Sequence, residues 1–335
     1  MTAPTRPLHV HHTLPERPWL RRDVPLMWRS DTLLQIGLDP QRLVVIEVDR
    51  ALIAWARELG GDRTLTAVLT DAEQRGLDTA EVNQLLRALT AAGALADAAR
   101  VAACAQQLTA DERITALRHE AAARHTYRDT RAQLSVDARA NARISIAGSG
   151  FLADTVANAL RGSGIKAVVA EAAPSSAARQ GRARAEQSDL HIVADCWQPD
   201  IFDDLTCGGL DLAHLAVGAW GRRGVVGPLV IPGHTSCLRC VTLHQRDHDP
   251  LWPRLAMQAA HATPDIDARD SPLVMACAAH TAALACAYLE ARAWGTTGTE
   301  WAGTSQVITM PGARVSFRQH SVHPLCGCTW NSTSV

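Results

Sequence analysis

Two close pairs of cysteines, far apart in the sequence, are the feature that most constrains the fold of this chain. Cys237 and Cys240 form a C-x-x-C pair, and Cys326 and Cys328 form a C-G-C pair. Each pair can point two thiolates at one centre across a tight turn, with Gly327 supplying backbone freedom in the second. Four thiolates in tetrahedral coordination are the usual closed, structural zinc site. The spacing therefore predicts a structural zinc that joins two distant segments.

Other interpretations of these cysteines stay open at the level of the sequence. A C-x-x-C pair is also typical of a thioredoxin-like redox site, although no βαβ pattern places this pair at a helix start. Four buried thiols without a metal are the simplest alternative. One of the flanking histidines could also replace a cysteine as a ligand. These histidines are His234, His244, His248, His320 and His323.

Length and composition exclude several classes of protein. The 335 residues suffice for two domains with separate cores, and 47% of them are hydrophobic. The formal net charge of -1 argues against a strongly basic nucleic-acid binder. The nine cysteines are not spread as a disulfide framework, and the polar N-terminus has no apolar signal segment. These features predict a cytoplasmic protein.

The longest apolar run covers residues 273–289. It is interrupted by His280 and Thr281 and is mostly alanine. It is too short and too mixed for a membrane span, so the sequence predicts a buried helix and no membrane association.

Residues 25–96 have the pattern of a small winged-helix-like domain. Three strand-like runs precede three helical patterns, and glycine follows each helix at the expected left-handed stop. Prolines predict a flexible arm over 1–24, and a helical connector is expected over 97–140. The predicted strands are 25–30, 32–37 and 42–48, and the predicted helices are 50–59, 64–75 and 79–92.

A winged-helix shape has more than one use. It often binds DNA, but the third helix carries Glu81 and only Arg87, which is not a basic recognition helix. It can also accept an extended peptide as an added strand at an open sheet edge. From the pattern alone, packing on a neighbour or on a second copy is the simpler role.

Residues 141–335 show strands alternating with helices, which predicts an α/β domain with a largely parallel, doubly wound sheet. Gly148 and Gly150 form a turn between strand and helix, where backbone N–H groups can hold a nucleotide phosphate. Ala153 stands at the third glycine position, and Glu171 ends the second strand, where a ribose-binding acid would lie. A tight turn that holds no nucleotide is nearly as consistent with these residues.

The order of these parts resembles the ThiF-type (ubiquitin-activating-enzyme-like) fold. The resemblance rests on Cys-Leu-Arg-Cys at 237–240, His-Pro-Leu-Cys-Gly-Cys at 323–328 and the glycine turn, and it extends over 25–328. More closely, the chain is similar to the leader-peptide-binding cyclodehydratase partner proteins of azole-forming (thiazole/oxazole-modified) peptide biosynthesis. The resemblance implies a winged-helix-like peptide-binding domain followed by a Rossmann-like ThiF-type domain with a structural zinc.

The resemblance also implies which residues an adenylating member would use. Arg179 matches the expected arginine and Asp195 the acid that handles magnesium, but Lys166, the only lysine, begins the second strand and cannot match. The missing charge favours a site that has lost adenylation, unless Arg182 or Arg184 replaces the lysine. The residues of this vestigial nucleotide site would be Gly148, Gly150, Glu171, Arg179 and Asp195.

By the same resemblance, the chain is a peptide clamp. Its first domain would take the leader of a ribosomally made precursor peptide as an added strand, and a separate YcaO-type enzyme would use ATP to cyclise the core peptide. ThiF-type folds often pair, so a homodimer is implied as well. The expected peptide contacts lie on strand 42–48 and on the third helix, at Val44, Ile46, Val48, Leu85 and Leu89.

Three functions therefore compete. The first is a non-catalytic, zinc-stapled partner of a cyclodehydratase, and the second is an ATP-dependent adenylyltransferase that activates a peptide or carrier-protein carboxylate. A nicotinamide or flavin enzyme is third, because no catalytic acid and base accompany the glycine turn. Cys207 beside Gly208 is the candidate acyl acceptor of the second function, although a buried thiol is its simpler role.

Overall fold

The computed structural model describes residues 14–38, 43–99, 130–171, 187–195, 212–261 and 269–328. The chain divides into two units, Met1–Gln133 and Leu134–Val335. The predicted boundaries of the arm and the connector stay predictions, and most of the connector, residues 100–129, lies outside the described residues.

The first unit combines short antiparallel strands with three helices. Its elements are β1 Pro18–Leu20, β2 Leu26–Trp28, β3 Leu33–Ile36, β4 Val44–Glu47, α1 Arg50–Ala56, α2 Leu65–Gln74, α3 Thr79–Ala91 and β5 Leu95–Asp97. Strands β2, β3 and β4 form a three-stranded sheet in that order. Leu34 and Ile36 alternate with more exposed residues along β3 and are fully buried, as strand periodicity requires. The predicted order of strands and helices is confirmed.

Side-chain caps fix the starts of these helices. Asp49, Thr64 and Asp78 precede α1, α2 and α3, and their side-chain oxygens accept hydrogen bonds from backbone N–H groups of the first turn. Gly76 and Gly93 follow α2 and α3 with φ values of 74° and 71°. The predicted stops of these two helices are therefore confirmed.

Strand β1 lies in a stretch that the sequence predicts as a loose arm. Pro18 can begin a strand, because its missing N–H is tolerated at that position, and β1 pairs with β5. Asp97 is buried, and its carboxylate accepts hydrogen bonds from the backbone N–H groups of Glu16 at 2.9 Å and Arg17 at 3.4 Å. One buried acid thus anchors the chain before β1.

The second unit is built around a seven-stranded sheet. Its strands are β6 Arg143–Ala147, β7 Ala167–Glu171, β8 Leu190–Ala194, β9 His214–Trp220, β10 Arg223–Val230, β11 Thr304–Thr309 and β12 Arg314–Gln319. The strand order is β12-β11-β10-β9-β8-β6-β7, with parallel pairing from β7 to β9 and antiparallel pairing from β9 to β12. The α/β class is confirmed, but the sheet is mixed rather than largely parallel. The reason is that β9 and β10 are joined by a two-residue turn and pair antiparallel, and that the predicted hairpin, β11 and β12, extends the sheet in the same way.

Helices complete the second unit. They are α4 Thr130–Asn141, which spans the division between the units, α5 Phe151–Gly162, α6 Leu238–His248, α7 Trp252–His261 and α8 Ser271–Ala293. The helix α8 packs against β9, β10 and α5, and Gly224 permits the close approach, since a Cβ there would lie 2.2 Å from Cys277 Sγ. Its apolar residues belong to the core of this unit, so the predicted buried helix is confirmed.

The same helix is long and apolar. Within the described ranges, Ser271–Ala293 is the one helix long and apolar enough to cross a membrane. However, 61% of its most apolar 18-residue stretch is buried inside the protein. This burial is that of a core helix.

A buried ion pair joins α4 to α8. Glu290 is only 1% exposed, and Arg139 Nε donates to its Oε1 at 2.6 Å. Removing a carboxylate from water is costly unless a close opposite charge compensates it. Arg139 therefore makes the burial of Glu290 tolerable.

Candidate metal centre and neighbouring sites

Two turns deliver the four cysteines to one place in the second unit. The first follows β10, where Cys237 is the residue just before α6 and Cys240 lies in the first turn of that helix. The second follows the β11–β12 hairpin and carries Cys326 and Cys328 on either side of Gly327, whose φ is 74°. The predicted arrangement of two knuckles is therefore present.

The sulfur atoms lie at the spacing of a tetrahedral metal site. The Sγ–Sγ distances are 3.7 Å for Cys237–Cys240, 3.4 Å for Cys237–Cys326 and 3.5 Å for Cys240–Cys328, and all four sulfurs lie within 4.8 Å of one another. A zinc–sulfur bond of about 2.3 Å gives tetrahedron edges of about 3.8 Å. A disulfide needs about 2.05 Å. The cluster thus fits a metal ion and not a pair of disulfides.

Ionisation of the four thiols is coupled. The hydrogen bond from Cys237 lowers the pKa of Cys240 to about 4, and the same bond raises the pKa of Cys237. Burial raises the pKa of Cys326 to about 12 and also raises that of Cys328. One thiolate in the cluster therefore opposes the formation of others. A divalent cation at the centre would remove this opposition and hold all four as thiolates.

The neighbouring histidines orient the knuckles. His323 is buried, its Nε2–H donates to Asp247 Oδ2 at 2.7 Å, and its Nδ1 accepts from the N–H of Leu325 at 3.1 Å. Both ring nitrogens are thus engaged away from the sulfurs. His244 donates from Nε2 to the carbonyl of Ser321 at 3.1 Å. The predicted alternative of a histidine ligand receives no support from these two residues.

The surroundings of the cluster are apolar. Cys237, Cys240 and Cys326 are buried together with Val230 and Leu238. A set of four sulfurs leaves no open coordination position for a substrate. A metal ion held by all four sulfurs would therefore join two segments and would not bind a substrate.

The glycine turn follows β6 as the sequence predicts. Gly148 and Gly150 have φ values of 139° and 84°, and Gly150 precedes α5 directly. A Cβ on Gly148 would lie 2.6 Å from the carbonyl oxygen of Ala194, so the turn sits tightly against the end of β8. Glu171 lies opposite Ala147 at the end of β7. The strand–turn–helix geometry of a phosphate-binding turn is present.

Asp195, the predicted magnesium-handling acid, is engaged by a basic residue of the same unit. It follows β8 with a φ of 55°, and its Oδ1 accepts from the N–H of Ala219 at 3.4 Å. Its Oδ2 pairs with the guanidinium of Arg269, just before α8. A cation that approached this carboxylate would have to compete with an internal guanidinium. Arg179, the arginine that the resemblance implies for this site, lies outside the described residues, as does Cys207.

The predicted peptide-binding residues lie in the first unit, on β4, just after it and on α3. β4 pairs with β3 only, so it is an edge of its sheet in the part of the chain that the structure describes. Val44 and Val48 are half-buried at the margin of the core, whereas Ile46, Leu85 and Leu89 are buried within it. The latter three side chains stabilise the unit and leave the backbone edge of β4 available.

Three functional candidates escape sequence reasoning. Arg269 is separated from its partner Asp195 by 74 positions, and no local pattern relates them. Asp247 is the hydrogen-bond partner of His323. Its one sequence signal is that it follows His244 at i+3 on a predicted helix, which places both side chains on one face. His214 carries a buried Nε2 that has no hydrogen-bond partner among the described residues, which only the fold reveals.

A row of polar side chains crosses the sheet from β6 to β9. Ser145 Oγ lies 2.8 Å from His191 Nδ1, and His191 stands opposite His214 on the neighbouring strand. Burial lowers the pKa of both histidines to about 4. Both rings are therefore neutral at pH 7, and protonating either would place a charge inside the protein.

We expect the stability of the second unit to fall as the pH decreases from 6.5 to 4. The pKa of His214 is about 6.5 in the unfolded chain and about 4 in the folded protein. The unfolded state therefore binds more protons between these two pH values. The contribution of His214 is fully present above pH 6.5 and declines by about 2 kcal/mol at pH 5. Urea unfolding of the native chain and of His214→Leu, at pH 7.5 and pH 5, measures this difference. An equal pH dependence in both proteins would contradict the assignment.

Comparison with known proteins finds solved structures of similar fold. No protein-family model matches the chain, and no curated protein matches it by sequence. The structure of the heterocyclase TruD matches with a TM-score of 0.62 and 14% identity, over 94% of this chain and 43% of that chain. A heterocyclase in complex with substrate and cofactor matches with a TM-score of 0.59 and 14% identity, over 90% of this chain and 38% of that chain. E. coli MccB with AMPCPP and MccA matches with a TM-score of 0.60 and 14% identity, over 94% of this chain and 99% of that chain.

These matches confirm the predicted resemblance as a likeness of fold. The chain spans about two fifths of the length of the heterocyclase chains it matches, and nearly all of the MccB chain. At 14% identity, the likeness concerns the arrangement of the elements and not the chemistry of the sites.

Proposed function

We propose that this chain binds the leader of a ribosomally made precursor peptide and presents it to a YcaO-type, ATP-dependent cyclodehydratase that forms azolines or azoles. The observation that carries this proposal is the open edge of β4. An unpaired strand edge offers backbone N–H and C=O groups to an extended peptide. In this role the first unit is a winged-helix-like peptide-binding domain, and the chain itself does not adenylate.

The fold likeness to the heterocyclase TruD is compatible with a role in azole formation. In this proposal, the cyclisation chemistry belongs to a separate enzyme, to which this chain docks. Zinc would have a structural role in this chain, at the four cysteines.

The register of β4 identifies the backbone groups that would meet the peptide. Val48 donates its N–H to the carbonyl of Thr32 at 2.9 Å, on the β3 side. Antiparallel pairing alternates, so the N–H groups of Val44 and Ile46 point to β3 and those of Val45 and Glu47 point to the free edge. The leader would add as a strand against Val45 and Glu47. The partly exposed side chains of Val44 and Val48 would form the apolar margin, whereas Leu85 and Leu89 would support it from the core.

The state of Asp195 supports a non-adenylating role. Its carboxylate pairs with Arg269, and a guanidinium in this place opposes the binding of a magnesium ion. The one lysine of the chain, Lys166, precedes β7 and does not follow it. An adenylating site needs positive charge on the phosphoryl oxygens and a free acid for the metal.

A second candidate, an adenylyltransferase, is favoured by the glycine turn and the likeness to MccB with AMPCPP. ATP–pyrophosphate exchange with the zinc-loaded chain separates the two, with candidate peptides present and absent. We expect no exchange above background. Robust exchange would favour the second candidate and would make Asp195 and Arg269 the first residues to substitute.

Replacing Val45 by proline is expected to weaken leader binding about tenfold, because one outward N–H is lost from the edge of β4. The β3–β4 ladder should survive, since that N–H points away from β3. Leaders of azole-forming systems are screened for binding, and fluorescence anisotropy of the best binder then gives the affinity.

The matched control is Val45→Thr, which keeps the N–H and a β-branched side chain. It should bind the leader within about twofold of the native chain. Equal binding by the proline variant, with an unchanged circular dichroism melt, would refute strand addition at this edge.

A further inference from the structure

A cavity of about 360 Å³ lies on the sheet of the second unit, under α6 and α7. Its floor is formed by side chains that alternate with the core residues of β9, β10 and β11, such as Ala216, Val225 and Val307. It therefore opens on the face of the sheet that α5 and α8 do not cover. Its volume is in the range of small-molecule sites.

The walls of this cavity are mostly apolar. Leu238 and Val241 of α6 face it, as does Trp252 at the start of α7. Trp220 lines it at the end of β9. Two indole rings and several branched side chains suit a flat or chain-like hydrocarbon body.

The ionisable groups at the cavity are all basic. Arg223, Arg318 and His320 line it, and none of its described lining residues is Asp or Glu. In the described ranges neither arginine has a carboxylate partner. Burial lowers the pKa of His320, so the positive charge comes from the two guanidiniums. An anion is the complementary ligand.

The two arginines lie at different ends of the cavity. Arg223 stands opposite Thr309 of β11, and Arg318 stands opposite Ser305 of the same strand. The difference of four residues corresponds to about 13 Å along the strand. Around Arg318, Ser305 Oγ and His320 Nε2 lie 2.9 Å apart and add further hydrogen-bonding groups. This end is the more polar one.

We propose that this cavity binds an elongated apolar organic anion, whose carboxylate or sulfonate lies at Arg318 and whose hydrocarbon body extends toward Trp220. The site is distinct from the edge of β4, where the leader peptide would bind, and from Asp195. Its occupancy does not depend on the proposed function.

The test uses the full-length, zinc-loaded chain and two probes. Anilinonaphthalene sulfonate, a fluorescent aryl anion, is titrated first, and decanoate is then added as a competitor beside the neutral decanol. We expect saturable fluorescence that decanoate displaces and decanol does not. Arg318→Gln should weaken the affinity about tenfold, and Arg223→Gln should weaken it less.

The matched control is Arg314→Gln, which lies on the same face of β12 as Arg318 and outside the cavity lining. This variant should bind the anion within about twofold of the native affinity, since salt screens the charge of an arginine outside the cavity. Thr242→Trp, on half-buried Thr242 of α6, should abolish binding by filling the cavity. Melting curves confirm that each variant is folded. No saturable binding, equal loss in Arg314→Gln and Arg318→Gln, or equal displacement by decanol would overturn the proposal.

Discussion

Replacement of Cys240 by serine is expected to abolish metal binding and to cause the largest loss of stability of any single substitution in this chain. Cys240 is fully buried, and its sulfur lies 3.7 Å from that of Cys237. Structural zinc sites contribute apparent binding free energies of about 10–16 kcal/mol in small domains, and that energy is folding energy. The zinc content should fall from one ion to none per chain. Elemental analysis and thermal melts, with and without a chelator, measure both effects.

A matched variant separates the metal effect from the loss of any buried thiol. Cys286 is a buried free cysteine of α8 that takes no part in the cluster. Cys286→Ser should keep one zinc per chain and lose only about 1 kcal/mol of stability. If Cys240→Ser retained stoichiometric zinc, or lost the zinc without any change in melting temperature, the structural role of the site would be wrong.

Replacing Arg139 by alanine is expected to destabilise the second unit by about 3–5 kcal/mol, because it leaves a buried carboxylate without its partner. Glu290 is 1% exposed, so water cannot replace the lost guanidinium. Substituting both partners by apolar residues, as in Arg139→Met with Glu290→Leu, should recover most of this loss. Urea unfolding of the three proteins at pH 7 gives the free energies.

An exposed pair provides the comparison. Arg292 and Asp189 approach to 3.6 Å, but their side chains are 50% and 41% exposed. Arg292→Ala should therefore cost less than about 1 kcal/mol, as is usual at protein surfaces. Equal losses for Arg139→Ala and Arg292→Ala would show that burial does not control the strength of the pair at Glu290.

The features that the sequence predicts well depend on local spacing. The cysteine pairs need only a turn to converge within each pair, and the preference of zinc for four thiolates then predicts that the two pairs meet. The helices of the first unit are predicted from apolar residues at helical spacing and from the glycines that follow them. In the structure, Asp49, Thr64 and Asp78 also cap their starts. In each case the physical cause lies within a few residues.

The features that escape prediction depend on distant partners. The pairing of β1 with β5 is built from strands of three residues, which leave almost no pattern. The contact of Asp195 with Arg269 spans 74 positions. Leu85 and Leu89 show the opposite difficulty, since an apolar helix face predicts burial but does not say whether the core or a ligand covers it. Tertiary packing decides all three.

The cysteine cluster also bears on when the second unit can acquire its metal. Cys237 and Cys326 are 89 positions apart, and the intervening segment contains α6, α7, α8 and the β11–β12 hairpin. Closing so long a segment has an entropic cost that grows with the logarithm of its length. We therefore expect the complete set of sulfurs to assemble after α8 has docked on the sheet and the hairpin has paired with β10. Uptake of the ion would be a late step of maturation, and a half-formed pair of knuckles would mark chains that have not finished folding.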